Sequence, residues 1–210
     1  MYEIAVLLTV FLMIVSALDY VRRAWIGETN PVPATWILMV TMFSLSCWMY
    51  WESPKKSWTG NIALTSGLVN VVIILVGVIA SNVRYGTLKI AFDSMQKWCI
   101  MGGFMVVIFW SITSKSLASL LPYILVQCIA LIAYIATVKR LWLAEKSTEP
   151  LFLWVAVLLA SFCAIYPAIS KQDVFAWVYL ARAIPSTGII IYLIVRIKKR
   201  MKLHPSVYPR

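Results

Sequence analysis

Seven apolar runs, each long enough to cross a bilayer, constrain the fold of this chain more than any other feature of its sequence. The runs are 4–21, 33–51, 58–81, 90–112, 117–138, 151–169 and 174–195. A transmembrane helix needs about 20 predominantly apolar residues, because hydrocarbon offers no water to satisfy its backbone polar groups. The fourth run opens with Asp93 and Lys97, which are spaced to pair on one helix face. The pattern predicts an all-α integral membrane protein with seven transmembrane helices.

The composition excludes an ordinary soluble domain. Hydrophobic residues make up 62% of the chain and charged residues 13%, and the mean hydropathy is +0.86. The formal net charge of +11 would suggest nucleic acid as a partner of a soluble protein, but here the basic residues fall in short loops and at the C-terminus. Cys47, Cys99, Cys128 and Cys163 lie singly in apolar runs, which is typical of core residues. We therefore expect no nucleic-acid partner and no cysteine-based site.

The distribution of basic residues between loops predicts the orientation, because Lys and Arg are retained on the cytoplasmic side. With the N-terminus outside, the inner segments hold Arg22, Arg23, Arg84, Lys89, Lys139, Arg140, Lys146, Arg196, Lys198, Lys199, Arg200, Lys202 and Arg210. The outer segments hold Lys55, Lys56, Lys115 and Lys171. We predict a multi-pass protein of the cell membrane with its N-terminus outside and a basic cytoplasmic tail, 197–210, that touches anionic lipids.

An internal repeat without gaps links the first apolar run to the fifth at an offset of 117 residues. The aligned pairs are Arg22 with Lys139, Arg23 with Arg140, Trp25 with Trp142, Glu28 with Glu145, Pro33 with Pro150 and Ser44 with Ser161. The repeat predicts two three-helix units, 1–83 and 117–196, joined by a linker helix in 84–116. A single linker helix places both units in the same orientation, and such duplicated units commonly enclose a binding site between them.

The segment VKRLWLAEKSTEPLFLW, 138–154, resembles the motif region of SWEET and PQ-loop-type transporters. The layout of three, one and three helices, the parallel repeats and the outside N-terminus are also similar to that superfamily. The Pro-Gln dipeptide that names the family is replaced by Ala136-Thr137 in the second unit and by Asp19-Tyr20 in the first. Vitamin transporters of the PnuC type share a related layout, so the resemblance leaves the substrate class open.

The resemblance also implies candidate binding residues, because an asparagine in the third helix of each SWEET-like unit faces the central cavity. Asn70 lies at a comparable depth, and the offset of 117 residues places Thr187 opposite it. Ser66, Ser186 and Trp177 complete the predicted solute site. The alternative interpretation is that these polar groups only bond neighbouring helices together, as Asn, Ser and Thr commonly do in membranes.

Arg182 is the strongest candidate on physical grounds. A guanidinium well inside a membrane helix costs at least about 2.5 kcal/mol, so such residues usually face a cavity or an acidic partner. Acidic residues at mid-span are scarce in this sequence, which favours contact with a carboxylate-bearing or phosphate-bearing ligand over a structural ion pair. Pro185 follows three residues later and removes one backbone hydrogen bond, so we predict a kink that serves as a hinge or gate.

No catalytic or metal-binding constellation is recognisable in the sequence, and its single histidine, His204, lies in the tail. We therefore expect no enzyme, no cofactor and no metal. The leading hypothesis is a facilitative transporter that moves a sugar or a small anionic, vitamin-like solute by alternating access between the two units. The alternatives are a receptor that binds a carboxylate-bearing ligand in the same cavity and a purely structural membrane protein. The expected partners are the solute and the lipid bilayer, and a homo-oligomer is left open.

Overall fold

The fold is all-helical in the computed structural model, which describes residues 1–29, 31–53, 56–112, 120–144 and 149–203. Within these ranges the helices are α1 (Tyr2–Trp25), α2 (Pro33–Trp51), α3 (Ile62–Arg84), α4 (Ser94–Ile112), α5 (Leu120–Leu143), α6 (Leu151–Cys163), α7 (Ile165–Lys171) and α8 (Val174–Leu203). Seven segments are long and apolar enough to cross a membrane, with α6 and α7 together forming one of them. The all-α class and the predicted number of helices that could cross a membrane are confirmed, and seven such helices are typical of a multi-pass membrane protein.

The fourth span begins later than the sequence predicted because Asp93 caps it. Asp93 Oδ1 accepts a hydrogen bond from the Gln96 backbone N–H at 2.7 Å, and Gln96 Oε1 accepts one from the Asp93 N–H at 3.1 Å. This reciprocal arrangement is a capping box, which satisfies two backbone donors that a helix start leaves open. The Asp93 carboxylate therefore bonds the start of α4 and makes no ion pair with Lys97, contrary to the predicted pairing.

The sixth span is divided at Ala164, between α6 and α7. Pro167 lies one turn after Cys163 and has no N–H to donate to the Cys163 carbonyl, so a hydrogen bond of the helix is lost at this place. The chain resumes with Ala168 N–H bonded to Ala164 O at 3.2 Å. The sequence analysis treated 151–169 as a single run and did not anticipate this interruption.

The packing order of the helices is the same in both halves of the chain. In the first half α3 packs against both α1 and α2, and in the second half α8 packs against both α5 and α6. Across the halves α1 packs against α6, α2 against α5 and α3 against α8. Helix α4 packs against α5 and, more weakly, against α2. We call the end of the bundle at residue 1 the N face and the end at Leu203 the C face.

Helix α8 is the longest helix and extends beyond its apolar part. It is continuous through Pro185 and carries Arg196, Lys198 and Arg200 in its last turns, so the first residues of the predicted tail are helical. The guanidinium of Arg196 lies 4.3 Å from the ring centre of Trp142 in α5. His204 and the rest of the tail lie outside the described residues, as does Glu145 of the repeat.

Helices α1 and α3 approach closely because α3 carries small residues at their contact. A Cβ atom at Gly77 would collide with the side chain of Val21, whose Cγ1 would be 2.5 Å away. Close to this contact the Ser81 hydroxyl donates to Ala24 O at 2.8 Å. Small residues commonly allow such close helix packing in membranes, where association relies on van der Waals contact and hydrogen bonds.

We predict that Gly77→Ala lowers the thermal stability of the purified protein, because the added methyl group overpacks the α1–α3 contact at a cost of about 1–3 kcal/mol. Gly188→Ala is the matched control, since a Cβ atom at Gly188 has nothing within 4 Å. It should leave the Tm unchanged or raise it slightly, because alanine favours a helix more than glycine does. Equal Tm values for the two variants in thermal unfolding would refute the overpacking at Gly77.

Candidate functional site

A cavity lies at the centre of the bundle, where the two halves of the chain meet. Each of the helices α1, α2, α3, α5, α6 and α8 contributes lining residues to it. Its volume, counted as the space open to the centre of a water-sized sphere, is about 30 Å³. This is room for one or two water molecules in the present conformation. A larger ligand can enter only if the lining side chains or the helices move.

Aromatic side chains form most of the cavity wall. The rings of Phe43 and Tyr179 meet edge to face with their centres 6.0 Å apart, and those of Tyr134 and Trp154 do so at 6.1 Å. Gly67 makes room for the first pair, because a Cβ atom there would lie 2.6 Å from the Phe43 ring and 3.1 Å from the Tyr179 hydroxyl. The wall exposed to the cavity is therefore mainly apolar carbon.

Asn70 lines this cavity and also bonds α3 to α1. Its Nδ2 donates to Met13 O at 2.6 Å and to Ser16 Oγ at 3.0 Å, and the side chain is buried. A backbone carbonyl can only accept, so Nδ2 must face Met13 O, and this fixes the orientation of the amide. The remaining polar atom, Oδ1, is the one that can accept a hydrogen bond from a ligand. Asn70 thus has both predicted features: it bonds two helices together, and it lines the cavity.

Thr187, the residue equivalent to Asn70 in the second half, also lines the cavity. The structure therefore brings these two predicted site residues together. The residue is fully buried, and its Oγ1 has no hydrogen-bond partner among the described residues. Buried hydroxyl groups are normally satisfied, so an orphan of this kind points to a missing water molecule or ligand.

Arg182 lies behind the aromatic wall and is 7% exposed. Its Cζ is 4.9 Å from the ring centre of Tyr179, 5.4 Å from that of Tyr134 and 5.7 Å from that of Phe43. These three rings all line the cavity, and so does the neighbouring Ala183. Two guanidinium nitrogens, Nε and Nη1, have no hydrogen-bond partner within the described part of the chain. The guanidinium is thus shielded by rings and hydrogen-bonds with the Tyr179 hydroxyl, while Nε and Nη1 lack an acceptor.

The other predicted site residues do not line the cavity. The Ser66 hydroxyl donates to Ile62 O in its own helix, and the Ser186 hydroxyl donates to Arg182 O at 2.7 Å. Trp177 is 43% exposed and lies among the apolar side chains on the outside of the bundle. Pro185, the predicted hinge, lies inside α8 close to Arg182. Buried serines satisfy their hydroxyls most easily on the preceding turn of the helix, which explains the placement of Ser66 and Ser186.

On the N-face side, the cavity is closed by a hydrogen-bonded cluster that joins the two halves. The Tyr50 hydroxyl accepts a hydrogen bond from the Ser57 N–H at 2.9 Å. It can donate its single hydrogen either to Asp173 Oδ2, at 2.6 Å, or to Ser57 O, at 2.8 Å. Beside it the Asn61 amide donates to the Tyr123 hydroxyl at 3.3 Å. Tyr50, Tyr123 and Asp173 are fully or almost fully buried. We call this cluster the N-face seal.

Toward the C face, two further cavities follow the central one in series. The larger, of about 190 Å³, is lined by Asp93, Gln96 and Arg140 among others. A narrow space of about 10 Å³ shares Arg140 with that cavity and shares Trp36 and Trp154 with the central one. Met39 lines all three. The shared lining residues thus place this narrow space, which we call the constriction, between the central cavity and the larger one.

An ion pair between Arg140 and Glu149 borders this constriction, with Arg140 Nη2 2.5 Å from Glu149 Oε1. Glu149 is 8% exposed. Burial raises the pKa of its carboxyl above the usual value of 4.5, and the Arg140 guanidinium acts in the opposite direction without cancelling the effect. Arg23, the residue equivalent to Arg140, instead pairs with Asp19 and Glu28 at the surface of the first half.

The sequence analysis missed the aromatic wall, the N-face seal and the ion pair at the constriction. Trp36 and Leu153 are 117 residues apart, which is the offset of the predicted repeat, and both line the cavity. The repeat could therefore have been used to predict that these two positions face the same cavity. The repeat does not predict the contact between Tyr50 and Asp173, because the residues aligned with them at the offset of 117 are Pro167 and Lys56. Comparison with family models, curated proteins and solved structures gives no match to this chain.

We predict that Glu149→Gln removes part of the pH dependence of stability. A carboxyl whose pKa is raised by folding contributes stability that is complete below about pH 4.5 and is lost as the pH rises through the folded-state pKa. The wild-type Tm should therefore fall over this range more steeply than that of the variant. Glu28→Gln, which alters an exposed carboxylate paired with Arg23, is the control and should keep the wild-type slope. Identical slopes for wild type and Glu149→Gln in thermal unfolding at stepped pH values would contradict the prediction.

Proposed function

We propose that this chain is a facilitative transporter of a small metabolite that works by alternating access. The observation that carries the proposal is the central cavity, which is lined from both halves of the chain and differs at its two ends. The N-face seal lies on its N-face side, whereas the constriction and a further cavity lie on its C-face side. In alternating access the two ends of a site open in turn, and ends that are held by different contacts fit this mechanism.

The two halves are proposed to be parallel repeats that rock against each other. Their packing supports this, because α3 packs against α1 and α2 in the first half and α8 packs against α5 and α6 in the second. The cross-contacts of α1 with α6 and of α2 with α5 are also exchanged by a twofold axis that relates the halves. Such an axis along the membrane normal is the one that parallel repeats have in transporters.

The proposed motion needs contacts that break at one end while others form at the opposite end. The N-face seal joins α2 and α3 of the first half to α5 and α8 of the second through a few polar contacts. Such contacts contribute about 0.5–1.5 kcal/mol each, so a small cluster can be replaced by comparable contacts at the C face. With the predicted orientation, the constriction and the larger cavity beyond it face the cytoplasm.

A receptor that binds its ligand in the same cavity is the second candidate. The specific observation in its favour is that the cavity is small in this conformation and yet contains unsatisfied groups, Thr187 Oγ1 and the Arg182 guanidinium. A binding protein needs such groups but needs no second opening. Both candidate functions place the ligand between the two halves. They differ in that only a transporter moves the solute across the membrane.

Flux measurements in proteoliposomes test the proposal. Purified protein is reconstituted, and the efflux of trapped radiolabelled sugars and small organic acids is compared with that from protein-free vesicles. We expect saturable efflux of at least one solute, driven by its own gradient and independent of ATP. Binding without any flux over the whole panel would favour the receptor and refute transport.

We also predict that Tyr50→Phe weakens the N-face seal. Cys47 lies one turn before Tyr50 in α2 and is buried beneath the seal, so it reports on opening. In a protein whose other cysteines are replaced by serine, a polar thiol reagent should label Cys47 about tenfold faster after Tyr50→Phe, which corresponds to about 1.4 kcal/mol for the lost hydrogen bonds. Tyr192→Phe, which alters an exposed tyrosine of α8, should leave the labelling rate unchanged. An unchanged rate in Tyr50→Phe would show that the seal does not control access.

A further inference from the structure

Arg182 is an incomplete binding group. Its side chain is more than nine-tenths buried, and Nε and Nη1 lack any partner within the described part of the chain. The ion pairs found among the described residues involve Arg22, Arg23 and Arg140, so Arg182 has no carboxylate within ion-pair distance there. A buried charge is strongly unfavourable unless it is paired and hydrogen-bonded. The Tyr179 hydroxyl hydrogen-bonds with the guanidinium but brings no negative charge, so Nε and Nη1 still need an acceptor.

The aromatic rings around Arg182 offset only part of that need. Phe43, Tyr134 and Tyr179 place their ring centres 4.9 to 5.7 Å from Cζ, within the range at which a ring face attracts a cation. A ring face gives no oxygen to the N–H groups, however, and the same three rings line the central cavity. A ligand in the cavity is therefore separated from the guanidinium by one layer of aromatic side chains and can supply the missing acceptor when a ring turns aside.

The charge of the cavity limits the charge of the ligand. None of the described lining residues is Lys, Arg, His, Asp or Glu. The nearby Arg140 and Glu149 compensate each other in an ion pair, which leaves the positive charge of Arg182 behind the cavity wall uncompensated among the described residues. One guanidinium compensates one negative charge, and its planar fork of N–H donors matches the two oxygens of a carboxylate. A phosphate dianion would keep an uncompensated charge in an apolar site. These constraints favour a monocarboxylate.

The wall of the cavity limits the body of the ligand. It presents mainly apolar carbon, including the indole rings of Trp36 and Trp154. A sugar would bury several hydroxyl groups against this wall, and each unsatisfied hydroxyl is costly. A flat ring would instead pack against the aromatic side chains at favourable edge-to-face or offset geometries. Asn70 Oδ1 and Thr187 Oγ1 remain to bond one polar substituent.

We infer that the solute of the central site is a small aromatic monocarboxylate, whose carboxylate binds Arg182 and whose ring packs among the aromatic side chains of the cavity. This inference rests on the proposed function, since it assumes that the central cavity is the solute site. It narrows the range of solutes from sugars, phosphorylated metabolites and acids to a single class. The assignment depends on Arg182 for the carboxylate and on the aromatic wall for the ring of the ligand.

Binding to the full-length detergent-solubilised protein tests the class without any mutation. Isothermal titration compares benzoate with benzamide, which has the same shape without the charge, with phenyl phosphate, which carries a second charge, and with glucose. We expect benzoate to bind at least about tenfold more tightly than each of the other three. Absence of benzoate binding, or equal or tighter binding of benzamide, phenyl phosphate or glucose, would overturn the inference.

Variants then assign the carboxylate to its partner. Arg182→Gln should weaken benzoate binding by about tenfold or more and bring it to the level of benzamide. Arg196→Gln is the matched control, because Arg196 also stacks on an aromatic ring of its neighbour but lies near the C-face end of α8. It should bind benzoate as the wild type does. Unchanged benzoate affinity in Arg182→Gln would refute the assignment, and if that variant does not fold, the ligand series on the wild type decides.

The failure of this inference can be distinguished from the failure of the proposed function. Saturable glucose efflux from proteoliposomes, with no benzoate binding, would leave transport standing and reject the aromatic acid. Benzoate binding that depends on Arg182, with no efflux of benzoate, would support the solute class and reject transport. Efflux of benzoate that is lost in Arg182→Gln and retained in Arg196→Gln would support both.

Discussion

Polar groups inside this bundle must find partners within the protein, because hydrocarbon provides none. The Asn70 amide bonds the backbone of α1, the Ser81 hydroxyl bonds Ala24 O, and the Gln127 amide donates to Ser46 Oγ at 2.8 Å between α5 and α2. These contacts, with the close approach at Gly77, determine how the helices are seated. Among the buried polar atoms that have no hydrogen-bond partner in the described part of the chain, Thr187 Oγ1 and the Arg182 nitrogens Nε and Nη1 lie at or next to the central cavity.

The two halves share a packing order but differ in chemistry. In the first half the Asn70 amide group donates to the backbone of α1. The residue that aligns with Arg182 is Thr65, whose hydroxyl lies within hydrogen-bond distance of the Asn61 and Ile62 carbonyls one turn earlier. In the second half Thr187 Oγ1 and two Arg182 nitrogens, Nε and Nη1, have no hydrogen-bond partner among the described residues. The surroundings of the cavity are therefore asymmetric, because Arg182 of α8 lies behind its wall whereas Thr65 stands at the matching position of α3.

The two ends of the cavity are built from different interactions. The N-face seal consists of hydrogen bonds and edge-to-face rings, with Phe175 5.8 Å from Tyr50 and 5.1 Å from Tyr123. The constriction toward the C face is bordered by the ion pair of Arg140 and Glu149, in which burial raises the pKa of the carboxyl. In the proposed mechanism these two sets of contacts open in turn.

The sequence by itself determined the number of spans and the all-α class, because apolar run length and backbone hydrogen bonding in hydrocarbon leave no other solution. It also identified Asn70, Thr187 and Arg182 as unusual, since a polar group at mid-span is expensive wherever it points. Only the tertiary structure decided where these side chains point, that Ser66 and Ser186 bond their own helices, and that Trp177 lies on the outside. Periodicity does not encode the rotation of one helix against its neighbours. That rotation is fixed by side-chain packing and cross-helix hydrogen bonds, and the same packing joins Tyr50 to Asp173 across 123 residues of sequence.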